Sequence, residues 1–312
     1  YSPWCDENGD MIHDGNTVRI AEDHFRLTAA DPTLVWLEDC AYGLDVAITD
    51  VTTRYAALAL QGPKSRIILA QVLEDMDIEA LKYFRMAQGR IGTAEVMVTR
   101  TGFTGDLGYE LWCASAHAEP IWDTLMTAGA PYGILPMGLH VLDMLRVEAG
   151  LLLIEVDYIS ARYAVIDGQK SNPLEAGLEW AVKFDRDEKF VGYDALLKDQ
   201  EQGPEWQLVG LVVEWTELER LWGAVDLRPT VVDKGTSREA VPVYKEGVQI
   251  GQATSHLYSP LLKQYIALAT LKTEHAQLGR HVELEMTVEY SRHLATAEIV
   301  SLPFYNPERK RK

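Results

Sequence analysis

The stretch Arg100-Thr101-Gly102-Phe103-Thr104-Gly105-Asp106-Leu107-Gly108-Tyr109-Glu110-Leu111 holds the residues best suited to chemistry. Glycine at every third position makes a turn whose backbone can approach a ligand closely. Phe103 offers a stacking face near one end, and Glu110 offers a carboxylate on a half-buried strand at the other. Taken alone, a glycine-rich hairpin with a solvated Glu110 is the commoner arrangement, because turns gather glycine in any case. A second candidate is Asp14, which follows Glu7-Asn8-Gly9-Asp10-Met11-Ile12-His13. Its carboxylate suits proton transfer, amine orientation or stabilisation of a cation. Aspartates in such Asn/Gly/Asp-rich segments more often simply form turns.

These residues need elements to hold them. The segment from Thr17 to Leu27 reads as strands around a short turn, and Asp31-Pro32 starts a helix through Trp36 to Asp39. Val46 to Asp50 and Tyr55 to Leu60 are short β-like runs, and Lys64 to Leu73 has helical spacing. Phe84 to Ile91, Thr93 to Arg100 and Tyr109 to Ala114 read as strands. Ser115 is placed to cap a helix over residues 116–128, with Ile121, Trp122, Leu125 and Met126 on one face. Leu139 to Glu148 is a second periodic helix, closed by Gly150. Strands mixed with helices in this order predict an α+β fold built from split β-α-β units. Residues 200–204 read as a linker. Beyond it, Leu208 to Glu214, Val241 to Tyr244, Val248 to Ala253, Ile266 to Leu271, Val282 to Val288 and Ala295 to Ser301 predict a small β-barrel or roll.

Composition removes several functions. The 312 residues contain 29 Lys plus Arg against 47 Asp plus Glu, a net charge of −18 that repels nucleic-acid phosphates. No apolar run is long enough for a membrane span, and the start carries no basic flank or apolar core of a secretory signal. An aromatic-rich strand beginning at the first residue predicts a protein that extends further upstream. The basic cluster Arg309-Lys310-Arg311-Lys312 reads as a solvated terminus. Cys5, Cys40 and Cys113 are far apart and odd in number, which fits a reducing cytoplasm better than a disulfide framework. The histidines are scattered singly without zinc-ligand spacing, so no metal site is expected.

The ordered motifs resemble those of the glycine cleavage T-protein (aminomethyltransferase) family. The stretch from Arg100 to Leu111 is similar to its R-T-G-Y-T-G-E-x-G-[FY]-E-[IL] signature. Ala59-Leu60-Gln61-Gly62-Pro63-Lys64 resembles A-L-Q-G-P-K, and the run from Asp143 to Leu151 resembles D-x-L-R-L-E-A-G-L. Glu7 to Asp14 is similar to N-E-x-G-G-I-I-D-D. Near the end, Arg238 to Tyr244 resembles R-x-G-Y-P-V-Y, Gly251 to Ser255 resembles G-x-[VA]-T-S, and Leu302-Pro303-Phe304-Tyr305 resembles L-P-F-Y.

The resemblance implies tetrahydrofolate as cofactor, held by a multi-domain folate-binding fold around a central channel with a C-terminal β-barrel. It implies a first folate-binding domain over 1–50 plus roughly 140–200, N-terminally incomplete, a ferredoxin-like second domain over 51–139, and the barrel over 205–312. By the same resemblance Glu110 grips the pterin through the fork of its 2-amino group and ring N–H, a geometry that a carboxylate accepts with two hydrogen bonds. Tyr1 and Trp180 match aromatic walls, and Phe103 stands where the family has tyrosine, keeping the ring but losing a hydroxyl. Asp14 matches the catalytic aspartate. His13 replaces the first member of the family's Asp-Asp pair and either faces solvent, the preferred reading, or lines the substrate site.

Two departures bear on the substrate side. Leu142 replaces an arginine and Ala30 replaces an asparagine, so two polar recognition groups are lost. Tyr158 and Arg162, with Asp157, either line an altered substrate pocket together with Leu142 or form a solvated loop. The one-carbon donor is then a small molecule or an aminomethyl group on a lipoyl carrier protein. A tetrahydrofolate-dependent S- or O-demethylase on the same fold is the alternative within enzymes. A non-catalytic folate-binding branch that assists iron–sulfur assembly carries K-G-C-[YF]-x-G-Q, whereas Phe190 to Leu196 here contains no cysteine. Neither G-x-G-x-x-G nor G-x-x-x-x-G-K-[ST] occurs, which argues against nucleotide chemistry.

Overall fold

A computed structural model describes residues 1–30, 33–233 and 235–312. The chain divides into two compact units, Tyr1–Pro32 with Gly150–Phe304 and Thr33–Ala149 with Tyr305–Lys312.

The first unit opens with three antiparallel strands, β1 (Ser2–Cys5), β2 (Met11–Arg19) and β3 (Phe25–Ala29), with β2 in the middle. The turn between β1 and β2 is tied by the Asp6 carboxylate, which accepts the N–H groups of Asn8 (2.9 Å) and Asp10 (3.0 Å). A β-bulge near Cys5 leaves Pro3 opposite Asp14 and Trp4 opposite His13. Strands expected between Thr17 and Leu27 are the facing halves of β2 and β3. The start of β2 is covered by later chain. Met11 N–H donates to the Ser171 carbonyl, Ala161 N–H donates to the Met11 carbonyl, and the Ser160 hydroxyl donates to the Ile12 carbonyl at 2.7 Å. His13 is therefore buried at 1% exposure and does not face solvent as expected. The consecutive residues Met11, Ile12 and His13 are all buried, so this end of β2 has no outward side, although the strand is exposed further along at Thr17 and Arg19.

The second unit begins its regular structure with α1 (Leu34–Cys40). The predicted helix start at Asp31-Pro32 lies outside the described residues. Val46 to Asp50 forms no strand, because its alternating residues find no partner; Val46 and Ile48 are exposed. Then follow β4 (Tyr55–Gln61), α2 (Ser65–Leu69), β5 (Met86–Ile91), β6 (Ala94–Thr99) and β7 (Gly108–Ala114). They pair antiparallel in the order β4-β7-β6-β5. The helices α3 (Ala118–Gly129) and α4 (Leu139–Glu148) complete the unit. Leu60, Leu69, Val98, Leu111, Ile121 and Leu125 form its core. Ser115 does not cap α3; its hydroxyl donates to the Thr53 carbonyl at 3.0 Å, and a 3-10 turn over Ser115–His117 precedes the helix. Trp122, expected on the apolar face with Ile121 and Leu125, is exposed. Gly150 takes φ +65° and ends α4 as expected. The basic terminus is exposed at Arg309, Arg311 and Lys312, as expected, but it is also tethered to the second unit. Arg309 forms a two-pronged pair with Asp106 (2.7 and 2.6 Å), and Arg66 donates to the Lys312 carbonyl at 2.8 Å.

The rest of the first unit starts with α5 (Tyr193–Gln202), which runs into the segment expected as a linker before Gly203 ends it at φ +82°. The strands β8 (Trp206–Val213), β9 (Val241–Lys245), β10 (Val248–Ser259), β11 (Gln264–Lys272), β12 (His281–Val288) and β13 (Ser291–Val300) close into the barrel β10-β11-β8-β13-β12-β9. The expected α+β architecture with a C-terminal barrel is thus present. Between β8 and β9 lies a helix not foreseen, α6 (Trp215–Gly223). Its Leu218, Leu221 and Trp222 at i, i+3 and i+4 join the barrel core beside Val243, Leu284 and Ile299. Among the described residues, no helix is long and apolar enough to cross a membrane.

Candidate functional site

Each unit carries one cluster built around a carboxylate. In the first unit, Asp14 sits on β2 with both oxygens engaged. The Tyr1 hydroxyl donates to its Oδ2 at 2.7 Å, and the Tyr158 hydroxyl donates to its Oδ1. The Asp14 backbone N–H donates to His13 Nδ1 at 2.7 Å, and the His13 ring lies against Trp4 with centroids 5.6 Å apart. The Tyr1 ring stacks on Trp180 at 5.6 Å with 20° between planes. Trp180 is 54% exposed, whereas Tyr158 is only 4% exposed.

Three of the expected site residues, Tyr1, Asp14 and Trp180, therefore form one connected group, and Tyr158 joins it directly. Tyr158 was expected only as a pocket residue; its hydrogen bond to Asp14 makes it a partner of the candidate catalytic carboxylate. Arg162 is exposed, with its guanidinium over the Tyr163 ring at 5.9 Å. Burial first, and then the charge and hydrogen bond of Asp14, push the Tyr1 and Tyr158 phenols far above the ordinary value of 10.0. Their raised folded-state values contribute stability that is complete below pH 10.0 and declines as the pH rises beyond it, since the unfolded chain then sheds protons that the native protein keeps. Asp14→Asn removes the charge contribution and leaves the burial, so both phenols stay above the ordinary value but by a smaller margin.

In the second unit, Glu110 stands on β7 directly across from Thr99 on β6. Its Oε2 accepts the Thr101 hydroxyl at 2.7 Å and the Thr99 hydroxyl at 3.3 Å, and the two threonines lie 2.7 Å apart. Among the described residues Oε1 accepts no hydrogen bond, so the threonines orient the carboxylate and leave one edge uncommitted. Neither threonine was foreseen as a partner; the signal is the cross-strand register, which becomes visible only once β6 and β7 are paired. Phe103 is half-buried in the turn between these strands, and Leu142 is half-buried on α4.

The turn that carries Phe103 is clasped by Gln61 at the end of β4. Gln61 Nε2 donates to the carbonyls of Thr101 and Tyr109 at 3.3 Å each, and Oε1 accepts the Thr104 hydroxyl at 3.0 Å. A Cβ on Gly102 or Gly108 would lie 2.0 or 2.1 Å from Gln61 Oε1, so a larger residue at either position displaces the Gln61 amide from the clasp. Gly105 combines φ +72° with a virtual Cβ contact of 2.6 Å to the Ala149 Cβ. Gly108→Ala and Gln61→Ala should therefore each cost about 1–3 kcal/mol in urea unfolding, by removing the same clasp. The double variant should cost no more than the worse single one; full additivity contradicts the clasp.

Comparisons with known proteins agree with this layout. The family described as GCVT N-terminal domain matches residues 1–186, and the glycine cleavage T-protein C-terminal barrel domain matches residues 225–306. An aminomethyltransferase of Geobacillus thermodenitrificans is 35% identical over 310 residues, covering 98% of this chain and 76% of that protein. A trimethylamine-oxide aldolase of Ruegeria pomeroyi is 34% identical, covering 100% of this chain but 37% of that protein. The crystal structure of the glycine cleavage system aminomethyltransferase T from Bartonella henselae shares the fold with a TM-score of 0.78, at 24% identity over 98% of this chain and 75% of that one. With both family domains matched in order and relatives of this identity along almost its whole length, the chain belongs to the glycine cleavage T-protein family.

Proposed function

We propose that the protein is a tetrahydrofolate-dependent one-carbon transferase in which Glu110 binds the pterin and Asp14 serves the transferring carbon. The observation that carries this reading is the held carboxylate of Glu110. Two threonine hydroxyls fix one oxygen, and the remaining edge suits the 2-amino and ring N–H fork of a pterin. The fit of the group to these residues is thus chemical: an acceptor-only pair meets a donor-only edge. When bound, reduced folate supplies the nitrogen nucleophile that accepts the one-carbon unit.

The chain's own residues do the rest. Tyr1 and Tyr158 hold Asp14 by both oxygens, so the carboxylate presents a fixed negative charge to a developing cation or a proton in flight. Trp180 and Tyr1 supply a flat aromatic surface for a ring or a cationic methylated group. The donor is an aminomethyl group on a lipoyl carrier or a methylated small molecule. Leu142 and Ala30, apolar where the resemblance implies Arg and Asn, favour a donor without a carboxylate to anchor. One relative is named a trimethylamine-oxide aldolase, and a methylated amine as the substrate of that protein supports a methylated small molecule as donor here. Incubation with tetrahydrofolate and a panel of donors separates them. Methylene capture yields 5,10-methylenetetrahydrofolate, and methyl capture yields 5-methyltetrahydrofolate. Neither product with any donor, despite folate binding, overturns the transferase assignment.

A further inference from the structure

Tyr158 owes its place to a carboxylate of its own neighbour. Asp157 is buried and closes a tight turn: Leu153 N–H donates to its Oδ2 at 2.8 Å, while its own N–H donates to the Leu153 carbonyl at 2.8 Å. Its Oδ1 accepts two hydroxyls from the barrel, Thr254 at 2.7 Å and Ser255 at 2.6 Å. Consecutive residues of a regular strand point to opposite faces and do not share one acceptor atom. Here they do, because β10 is bulged between Ala253 and Ser255. The bulge re-aims both hydroxyls, as bulges beside functional sites commonly do. Both are buried, at 3% and 0% exposure, so they face the carboxylate without competition from bulk water.

We propose that Asp157 is a positioning residue for the Asp14 site: the barrel bulge grips Asp157, and Asp157 sets the Tyr158 hydroxyl against Asp14. The barrel strand thereby acts on the carboxylate of β2 through two consecutive residues of the 153–158 turn. Glu155, which adopts φ +62° within that turn, donates its N–H to the Tyr158 carbonyl at 2.8 Å, so the Tyr158 backbone is fixed from both sides. The effect on turnover rests on the reading of Asp14 given above, whereas the effect on the Tyr158 phenol does not.

The test follows the Tyr158 phenol by NMR of protein labelled at the tyrosine ring carbon that bears oxygen, with Tyr158→Phe assigning the signal. Asp14→Asn defines the shift that accompanies loss of the contact. Thr254→Val keeps side-chain shape but removes one hydroxyl, and Asp157→Asn weakens the grip at its centre. Both should move the Tyr158 signal in the direction set by Asp14→Asn, and Thr254→Ser, which restores a hydroxyl, should return it. In turnover, Thr254→Val should lower kcat about tenfold with the folate KM unchanged, and should cost nothing further in a Tyr158→Phe background. A Tyr158 signal that stays in place in Thr254→Val overturns the proposal, as does an equal kcat loss in the Tyr158→Phe background. Should Asp157→Asn not fold, the Thr254 pair decides alone. A moved signal in a protein whose wild type transfers no one-carbon unit sustains the positioning and defeats the transferase reading instead.

Discussion

Glu110→Ala should abolish measurable tetrahydrofolate binding in titration calorimetry. A carboxylate that accepts two charge-assisted hydrogen bonds from a pterin contributes about 1.5–3 kcal/mol for each. Losing both weakens binding by roughly a hundred- to ten-thousandfold at about 1.4 kcal/mol per factor of ten. Two features make the variant a clean probe. Glu110 is half-buried on β7, so its removal opens no core cavity. Thr99 and Thr101 lose an acceptor but keep each other at 2.7 Å. The melting temperature should therefore change little, and the loss should register as binding alone. Thr101→Val should give a smaller loss, about five- to tenfold, because it frees the carboxylate to swing without deleting it.

The second large effect is expected at Asp14. Asp14→Asn should retain folate affinity within a few-fold while turnover falls by about a hundred- to ten-thousandfold, the usual range for a positioned acid–base group. The amide preserves the size of the side chain, and one phenol still finds a carbonyl-type acceptor. The other phenol, from Tyr1 or Tyr158, meets an N–H₂ and must rotate to accept from it. What disappears is the negative charge. A drop in kcat with KM unchanged marks an interaction made chiefly in the transition state. A fully active Asp14→Asn enzyme would strip the residue of its role.

Much of the fold was legible because strand alternation is a strong signal in antiparallel sheets with one wet face. β8, β9 and β12 fall within two residues of their expected bounds. The sequence pattern predicts an end at Ala253, whereas β10 runs to Ser259, since a bulge breaks the alternation without ending the strand. α6 escaped notice because nine residues between strands give a short helical signal, although Leu218, Leu221 and Trp222 carry the right spacing. Val46 to Asp50 shows the opposite failure, alternation without a partner strand.

The candidate residues divide in a similar way. Asp14 and Glu110 were found through ordered motifs, not through local chemistry, since each looks like a turn or surface residue in isolation. Their supports were hidden because they are remote in sequence. Tyr158 reaches Asp14 across 144 positions, and Thr254 and Ser255 reach Asp157 across nearly 100. His13 departs from the expected solvent-facing position because chain remote in sequence covers the start of β2. Register and covering segments are properties of the folded chain, and no local pattern carries them.

A crystal structure with 5-formyltetrahydrofolate tests the central claim most directly. The account predicts the 2-amino and ring N–H groups of the pterin within about 3 Å of the Glu110 carboxylate, with Oε2 still held by Thr101. A ligand seated elsewhere, or Glu110 hydrogen-bonded only to solvent beside a bound folate, would contradict it.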